Sequence, residues 1–174
     1  GVQYFDSLKT LNCSINVYDT INIRLSYLPS LPSMLDTLIC DGNALDSLPQ
    51  LPNGLVYFTC SQNLLDSLPS LPNTIKHFEC LNNQLDSLPT LPDSLIHFNC
   101  YGNNLQVMPA LPVGLTSFTC ASNNLQGLPA LSDSLITMNC SDNPLQTLPA
   151  LPNKLTHLVC ASNQLSALPA LQIA

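Results

Sequence analysis

Leu55-Val56-Tyr57-Phe58-Thr59-Cys60-Ser61-Gln62-Asn63-Leu64-Leu65-Asp66-Ser67-Leu68-Pro69-Ser70-Leu71-Pro72-Asn73-Thr74 is the stretch that decides the fold, because the chain repeats its pattern at a fixed period. Cysteines stand at 40, 60, 80, 100, 120, 140 and 160, and the eighth, Cys13, precedes Cys40 by 27 residues, one period of 20 plus seven. Three residues after each cysteine is an asparagine: Asn16, Asn43, Asn63, Asn83, Asn103, Asn123, Asn143 and Asn163. Two further on the chain is apolar, Tyr18 in the first copy and Leu in the others. Positions two and five before each cysteine are apolar as well, and proline segments such as Leu48-Pro49-Gln50-Leu51-Pro52 join the copies. The consensus is LxxLxCxxNxLxxLPxLPxx.

The physics of one copy follows from this pattern. Apolar and polar residues alternate through LxC, which predicts a short strand with one face inward. A copy of 20 residues is too short for a strand–helix–strand crossover. It suffices for one coil with an extended return leg. Proline fixes φ near −65°, biases its predecessor to extended geometry and lacks the N–H a sheet needs, so LPxLP is expected to run as polyproline II. Successive coils then stack through one parallel sheet, each burying its apolar face against the next.

Composition narrows the function. The chain has 174 residues, a formal charge of −7 and four basic side chains, Lys9, Arg24, Lys76 and Lys154. Nucleic acid requires clustered Lys and Arg, and anionic membrane surfaces favour the same charges, so both are set aside as partners. No apolar run is long enough for a membrane span. The chain begins at Gly1 rather than Met, which suggests a removed leader or a piece of something longer.

This repeat resembles the LPX-type bacterial leucine-rich repeats of YopM- and IpaH-type secreted effectors and of secreted surface proteins in Bacteroidetes. The resemblance covers residues 5–171. It implies a β-rich solenoid: a leucine-rich-repeat horseshoe with one parallel concave sheet, an extended or polyproline-II convex side, about eight coils and little or no helix. It also implies a protein ligand on the concave face. Effector repeats usually carry Val or Ala where this chain carries Cys in every copy, and that departure leans toward the surface-protein group. No catalytic domain accompanies the repeats, so the resemblance carries over no enzymatic activity.

The regular columns read as scaffold. The cysteines lack CxxC or Cys/His spacing and, one rung apart with parallel Cβ bonds, are too far separated for disulfides, so a column of buried reduced thiols is expected. His77, His97 and His157 each stand three residues before a cysteine, on the opposite strand face, which rules out a Cys–His dyad. The asparagines are expected to bond backbone groups in the turn after the strand. Phe58, Phe78, Phe98 and Phe118 form a second inward column. Asp46, Asp66 and Asp86 share one convex position, which Gln106, Gln126 and Gln146 then occupy. They are read as solvated turn caps, with Ca²⁺ binding left open.

Function should sit on the irregular columns, three before, one before and one after each cysteine, where residues vary on a fixed frame. Tyr57, His77, Glu79, Leu81, His97, Asn99 and Tyr101 fall on adjacent middle rungs and form the expected ligand patch, with its aromatic groups as anchors. A metal on His77, Glu79 and His97 is the weaker reading, since loosely grouped side chains do not fix a coordination geometry. No metal, cofactor or catalytic residue is assigned.

The expected role is a non-catalytic protein–protein interaction module, secreted or displayed on a bacterial cell surface, with glycan the lesser alternative to a protein partner. The competing role is a structural or adhesive spacer that associates end to end through exposed sheet edges. Residues 1–174 are read as one leucine-rich-repeat domain. Residues 1–32 form an atypical first repeat, with Tyr4, Phe5, Tyr18 and an insertion around Asn22-Ile23-Arg24 as a partial cap, and 33–174 the regular repeats. The chain stops at Leu171-Gln172-Ile173-Ala174 without a cap, which suggests a longer natural chain.

Overall fold

The computed structural model describes residues 5–15 and 23–170. The readings placed on Tyr4, Asn16, Tyr18, Asn22 and residues 171–174 lie outside the described residues.

Each copy of the repeat contributes one three-residue strand: β1 (Thr10–Asn12), β2 (Thr37–Ile39), β3 (Tyr57–Thr59), β4 (His77–Glu79), β5 (His97–Asn99), β6 (Ser117–Thr119), β7 (Thr137–Asn139) and β8 (His157–Val159). They form one parallel sheet in sequence order. Register follows the period, with Tyr57 beside His77 and His77 beside His97. The first step absorbs the seven extra residues without slipping, since Thr10 pairs with Thr37. The ladder extends past each strand: Cys60 N–H donates to Glu79 O at 2.9 Å and Gln62 N–H to Leu81 O at 2.7 Å.

The return leg has neither helix nor strand among the described residues, as a proline-rich segment without enough donors requires. A tight turn brings it back to the sheet, closed in the third coil by Leu55 N–H donating to Pro52 O at 3.1 Å, and repeated from Leu35 on Pro32 through Leu155 on Pro152. In one copy Ser132 replaces the proline. Its buried hydroxyl donates to Val113 O at 2.6 Å and accepts from Ser134 N–H, so the turn survives. Among the described residues no helix is long and apolar enough to cross a membrane.

Two inward columns run the length of the core. Phe58, Phe78, Phe98 and Phe118 are fully buried and stack with ring centroids 5.2, 5.5 and 5.8 Å apart. The ring planes are near parallel, 7° to 13° apart, because in-register strands stack like residues in like rotamers. Burying each ring contributes roughly 1.5–3 kcal/mol. The cysteines form the other column, all eight as free thiols, with Cys40 to Cys140 buried. Cys40 Sγ donates to Thr59 O on the next rung at 3.3 Å and Cys100 Sγ to Thr119 O at 3.5 Å.

The asparagines do more than close their own turns. Asn63 Nδ2 donates to Cys60 O at 3.1 Å and Ser61 O at 3.1 Å within its coil, and to Cys40 O of the preceding coil at 3.0 Å. Its Oδ1 accepts Leu45 N–H, again from the preceding coil, at 3.1 Å. The same set recurs at Asn103 and Asn123. Each described asparagine of the column, from Asn43 to Asn163, is therefore a rivet between rungs.

One backbone feature has no counterpart in the consensus. The second residue after each cysteine from Cys40 onward takes positive φ: Gly42, Gln62, Asn82, Gly102, Ser122, Asp142 and Ser162. This left-handed step reverses the chain after the strand and aims the following asparagine back across the coil boundary. Glycine fills it twice, and small or polar residues tolerate it elsewhere.

Candidate functional site

Residues on the outward columns are placed by the alternation of the strand. Because Phe78 and Cys80 point inward, His77, Glu79 and Leu81 face out, and the rung above repeats this with His97, Asn99 and Tyr101. Parallel pairing in register then stacks like positions. Tyr57, His77 and His97 form a continuous column, with centroids 4.2 Å apart from Tyr57 to His77 and 4.3 Å from His77 to His97, and interplanar angles of 8° and 6°. The rings stay half-exposed, with Tyr57 at 36% and Tyr101, on the third outward column, at 38%. The column ends at His97, whose next neighbour is Ser117.

Glu79 reaches across the histidines. His97 Nε2 stands 3.0 Å from Glu79 Oε1 and makes a hydrogen bond, which with a carboxylate acceptor requires the proton on Nε2. His77 Nε2 stands 3.1 Å from the same oxygen, a charge-pairing distance. Its ring is angled off the hydrogen-bond line, however, and this atom, shielded from solvent, has no hydrogen-bond partner. The hydrogen bond from His97 holds the Glu79 carboxyl below the usual carboxylate range, against the opposing effect of burial. Burial, reinforced by the neighbouring His97, lowers the His77 imidazole below its ordinary value, and Glu79 offsets this only partly. Burial also raises the Tyr57 phenol, helped by the charges of Glu79 and Asp41.

The rest of the expected patch is partly engaged. Asn99 Oδ1 accepts Tyr101 N–H at 3.1 Å, so its amide oxygen serves its own strand. Leu81 is half-buried, with its N–H donating to Ser61 Oγ at 3.2 Å. Asp41, on the same outward column as Leu81 but outside the expected patch, continues this polar band: its carboxylate accepts Ser61 N–H at 2.6 Å and Thr59 Oγ1–H at 2.9 Å. Burial raises its pKa even so. An acidic residue directly after a cysteine, two rungs below Leu81, was the available signal. All seven expected patch residues share one sheet face, but Tyr57, His77, His97 and Glu79 form the cluster in mutual contact.

The convex acidic residues behave differently. Asp46, Asp66 and Asp86 are exposed, and each accepts a bond from the hydroxyl of the serine that follows it, at 2.8, 2.9 and 2.8 Å. They bond a side chain rather than capping a backbone turn. Among the described residues, the one group of three metal-competent side chains with donor atoms within 4.8 Å of one another is His77, Glu79 and His97.

No protein-family model matches the sequence, and no curated protein does. Solved structures do match. YopM from Yersinia enterocolitica WA-314 aligns with a TM-score of 0.82 at 31% identity, over 95% of this chain and 40% of that one. YopM from Yersinia pestis, described as a leucine-rich effector protein, aligns with a TM-score of 0.83 at 36% identity, over 87% of this chain and 44% of that one. The chain thus spans less than half the length of these two relatives. A Shigella effector leucine-rich-repeat domain aligns with a TM-score of 0.68 at 30% identity, over 82% of this chain and 72% of that domain. With the period of 20, the parallel sheet and the proline return leg, this similarity establishes that the chain belongs to the LPX-type bacterial leucine-rich-repeat proteins.

Proposed function

We propose that the chain is a secreted bacterial interaction module that performs no catalysis of its own and docks a protein partner on the concave sheet face. Contact centres on Tyr57, His77, His97 and Tyr101, with Glu79, Leu81 and Asn99 at their flanks. The observation that carries this reading is the stack of Tyr57, His77 and His97, held half-exposed on an otherwise repetitive frame. Rigid, pre-stacked rings lose little conformational freedom on binding, which is why aromatic anchors dominate interface energetics. Delivery out of the bacterial cell is inferred from the effector relatives. The groove between coils on the convex side, where Leu31 and Ser33 meet Pro49 to Asn53, is shallow and open and lacks such anchors.

A photocrosslinking residue placed at Tyr57, and in a second variant at the 86% exposed Val113 in the turn that leads into β6, tests the face used. The reading predicts discrete protein adducts from a target-cell lysate at Tyr57 and none at Val113. Equal labelling at both positions contradicts it. Light scattering that shows concentration-dependent linear assembly favours the end-to-end spacer instead.

A further inference from the structure

We propose that His77, Glu79 and His97 form a binding site for one borderline divalent transition-metal ion, with Zn²⁺ as its representative. The argument is geometric and does not depend on protein docking at this face. Strand alternation puts His77 and Glu79 on the same side of β4, and register puts His97 of β5 directly beside His77. Both Nε2 atoms converge on one carboxylate oxygen, at 3.1 and 3.0 Å. In a tetrahedral zinc site with bonds of about 2.0–2.1 Å, ligand atoms stand roughly 3.3 Å apart, so little movement is needed along these edges.

The donor set also fits the ion class. Two imidazoles and one carboxylate suit Zn²⁺, Co²⁺ or Ni²⁺, whereas Ca²⁺ and Mg²⁺ prefer oxygen throughout. His77 Nε2 has no hydrogen-bond partner although solvent does not reach it, and a metal would satisfy that atom. Three protein ligands leave a coordination position for water or for a partner's side chain.

One rearrangement is required. The two imidazole planes are nearly parallel, 6° apart, so their lone pairs do not meet at one point. His77 is held between Tyr57 and His97, but His97 ends the stack with Ser117 beyond it. His97 is therefore the ring that turns, exchanging its hydrogen bond to Glu79 for a bond to the metal; its proton moves by way of water from Nε2 to Nδ1, so that the neutral imidazole binds through Nε2.

Co²⁺ titration of the reduced, tag-free chain, read by visible absorption and reversed with Zn²⁺, tests the site. One equivalent should bind with d–d bands and without the strong near-ultraviolet band of thiolate ligation. His97→Ala and Glu79→Gln should each weaken binding by about tenfold or more, with His157→Ala, on distant β8, as the unaffected control. Circular dichroism of each variant, expected to overlay the parent, separates ligand loss from unfolding. Absence of saturable uptake, uptake insensitive to both substitutions, or a thiolate band that places the ion on the cysteines would overturn the assignment.

Discussion

Asn63 and Cys40 lie 23 residues apart in sequence, yet the Asn63 amide donates to the Cys40 carbonyl at 3.0 Å in a buried contact between two coils. Deleting it should expose how this solenoid coheres. Asn63→Ala removes three donated bonds and one accepted bond, leaving the Cys40 carbonyl and the Leu45 N–H without this partner. The Cys40 carbonyl keeps the Asn43 amide at 3.1 Å, so the Leu45 N–H is the group stranded, and at about 1–3 kcal/mol for a buried unpaired donor the loss is expected to exceed about 1 kcal/mol in urea unfolding. A loss below about 0.5 kcal/mol, the range of ordinary surface changes, would show that the ladder is ornamental.

The cysteine column makes a second, chemical prediction. Burial drives the Cys60, Cys80, Cys100 and Cys120 thiols far above the ordinary value of 9.0, and it pushes Cys140 up to about 12. In the native protein at pH 8, Ellman's reagent should therefore reach only the half-buried Cys13 and Cys160, whereas all eight thiols should react in guanidinium. Rapid native reaction of the central cysteines would contradict their burial.

The same shifts set an alkaline limit on stability. A thiol whose pKa is raised by folding stabilises the native state in full below its unfolded value near 9.0, and that contribution fades as pH climbs through the folded value. Each buried thiol that ionises only in the unfolded chain costs about 1.4 kcal/mol by pH 10. Thermal midpoints should accordingly stay flat on this account from pH 7 to 8 and drop steeply from pH 9 to 11. A midpoint unchanged across the upper window would be inconsistent with a buried, protonated column.

Gly42 and Gly54 offer a matched pair. Gly42 has φ of 74°, and a Cβ there would collide with the Ile15 carbonyl, whereas Gly54 has open space around it. Gly42→Ala should destabilise by at least about 1 kcal/mol, and Gly54→Ala should be neutral or stabilising by up to about 1 kcal/mol. Equal effects in urea denaturation would show that the left-handed step after the strand is not constrained.

These cases mark how far the sequence could be read. Period, register and the inward or outward sense of each strand position were legible, because Cys40 to Cys160 count out the coils and side chains alternate strictly along a strand. The left-handed step was hidden: glycine occupies it only at Gly42 and Gly102, and Gln62, Ser122 or Asp142 give no such signal. The asparagines were recognised as backbone partners but not as bridges, since reaching Cys40 from Asn63 depends on that unseen step. At the patch, strand alternation gave the outward face of the seven residues, but convergence of His77 and His97 on one oxygen of Glu79 is a matter of rotamers, which spacing does not encode.

The convex aspartates give a control prediction. Asp66 is exposed and bonded only to its neighbour Ser67, so Asp66→Ala should change unfolding free energy by less than about 0.5 kcal/mol. A larger loss would assign the convex face a stabilising role that its local bonding does not explain.

Invariant columns hold the coil together, and the irregular columns around Tyr57, His77 and Tyr101 are the ones proposed to meet a partner. The most direct measurement of this division is crosslinking to target-cell protein by the triple variant Tyr57→Ala, His77→Ala and Tyr101→Ala, with the photocrosslinker at Ser117 beside His97 and circular dichroism taken on the same sample. A native spectrum with the adducts lost is expected if this division of roles holds. A native spectrum with adducts retained at the level of the parent would contradict it.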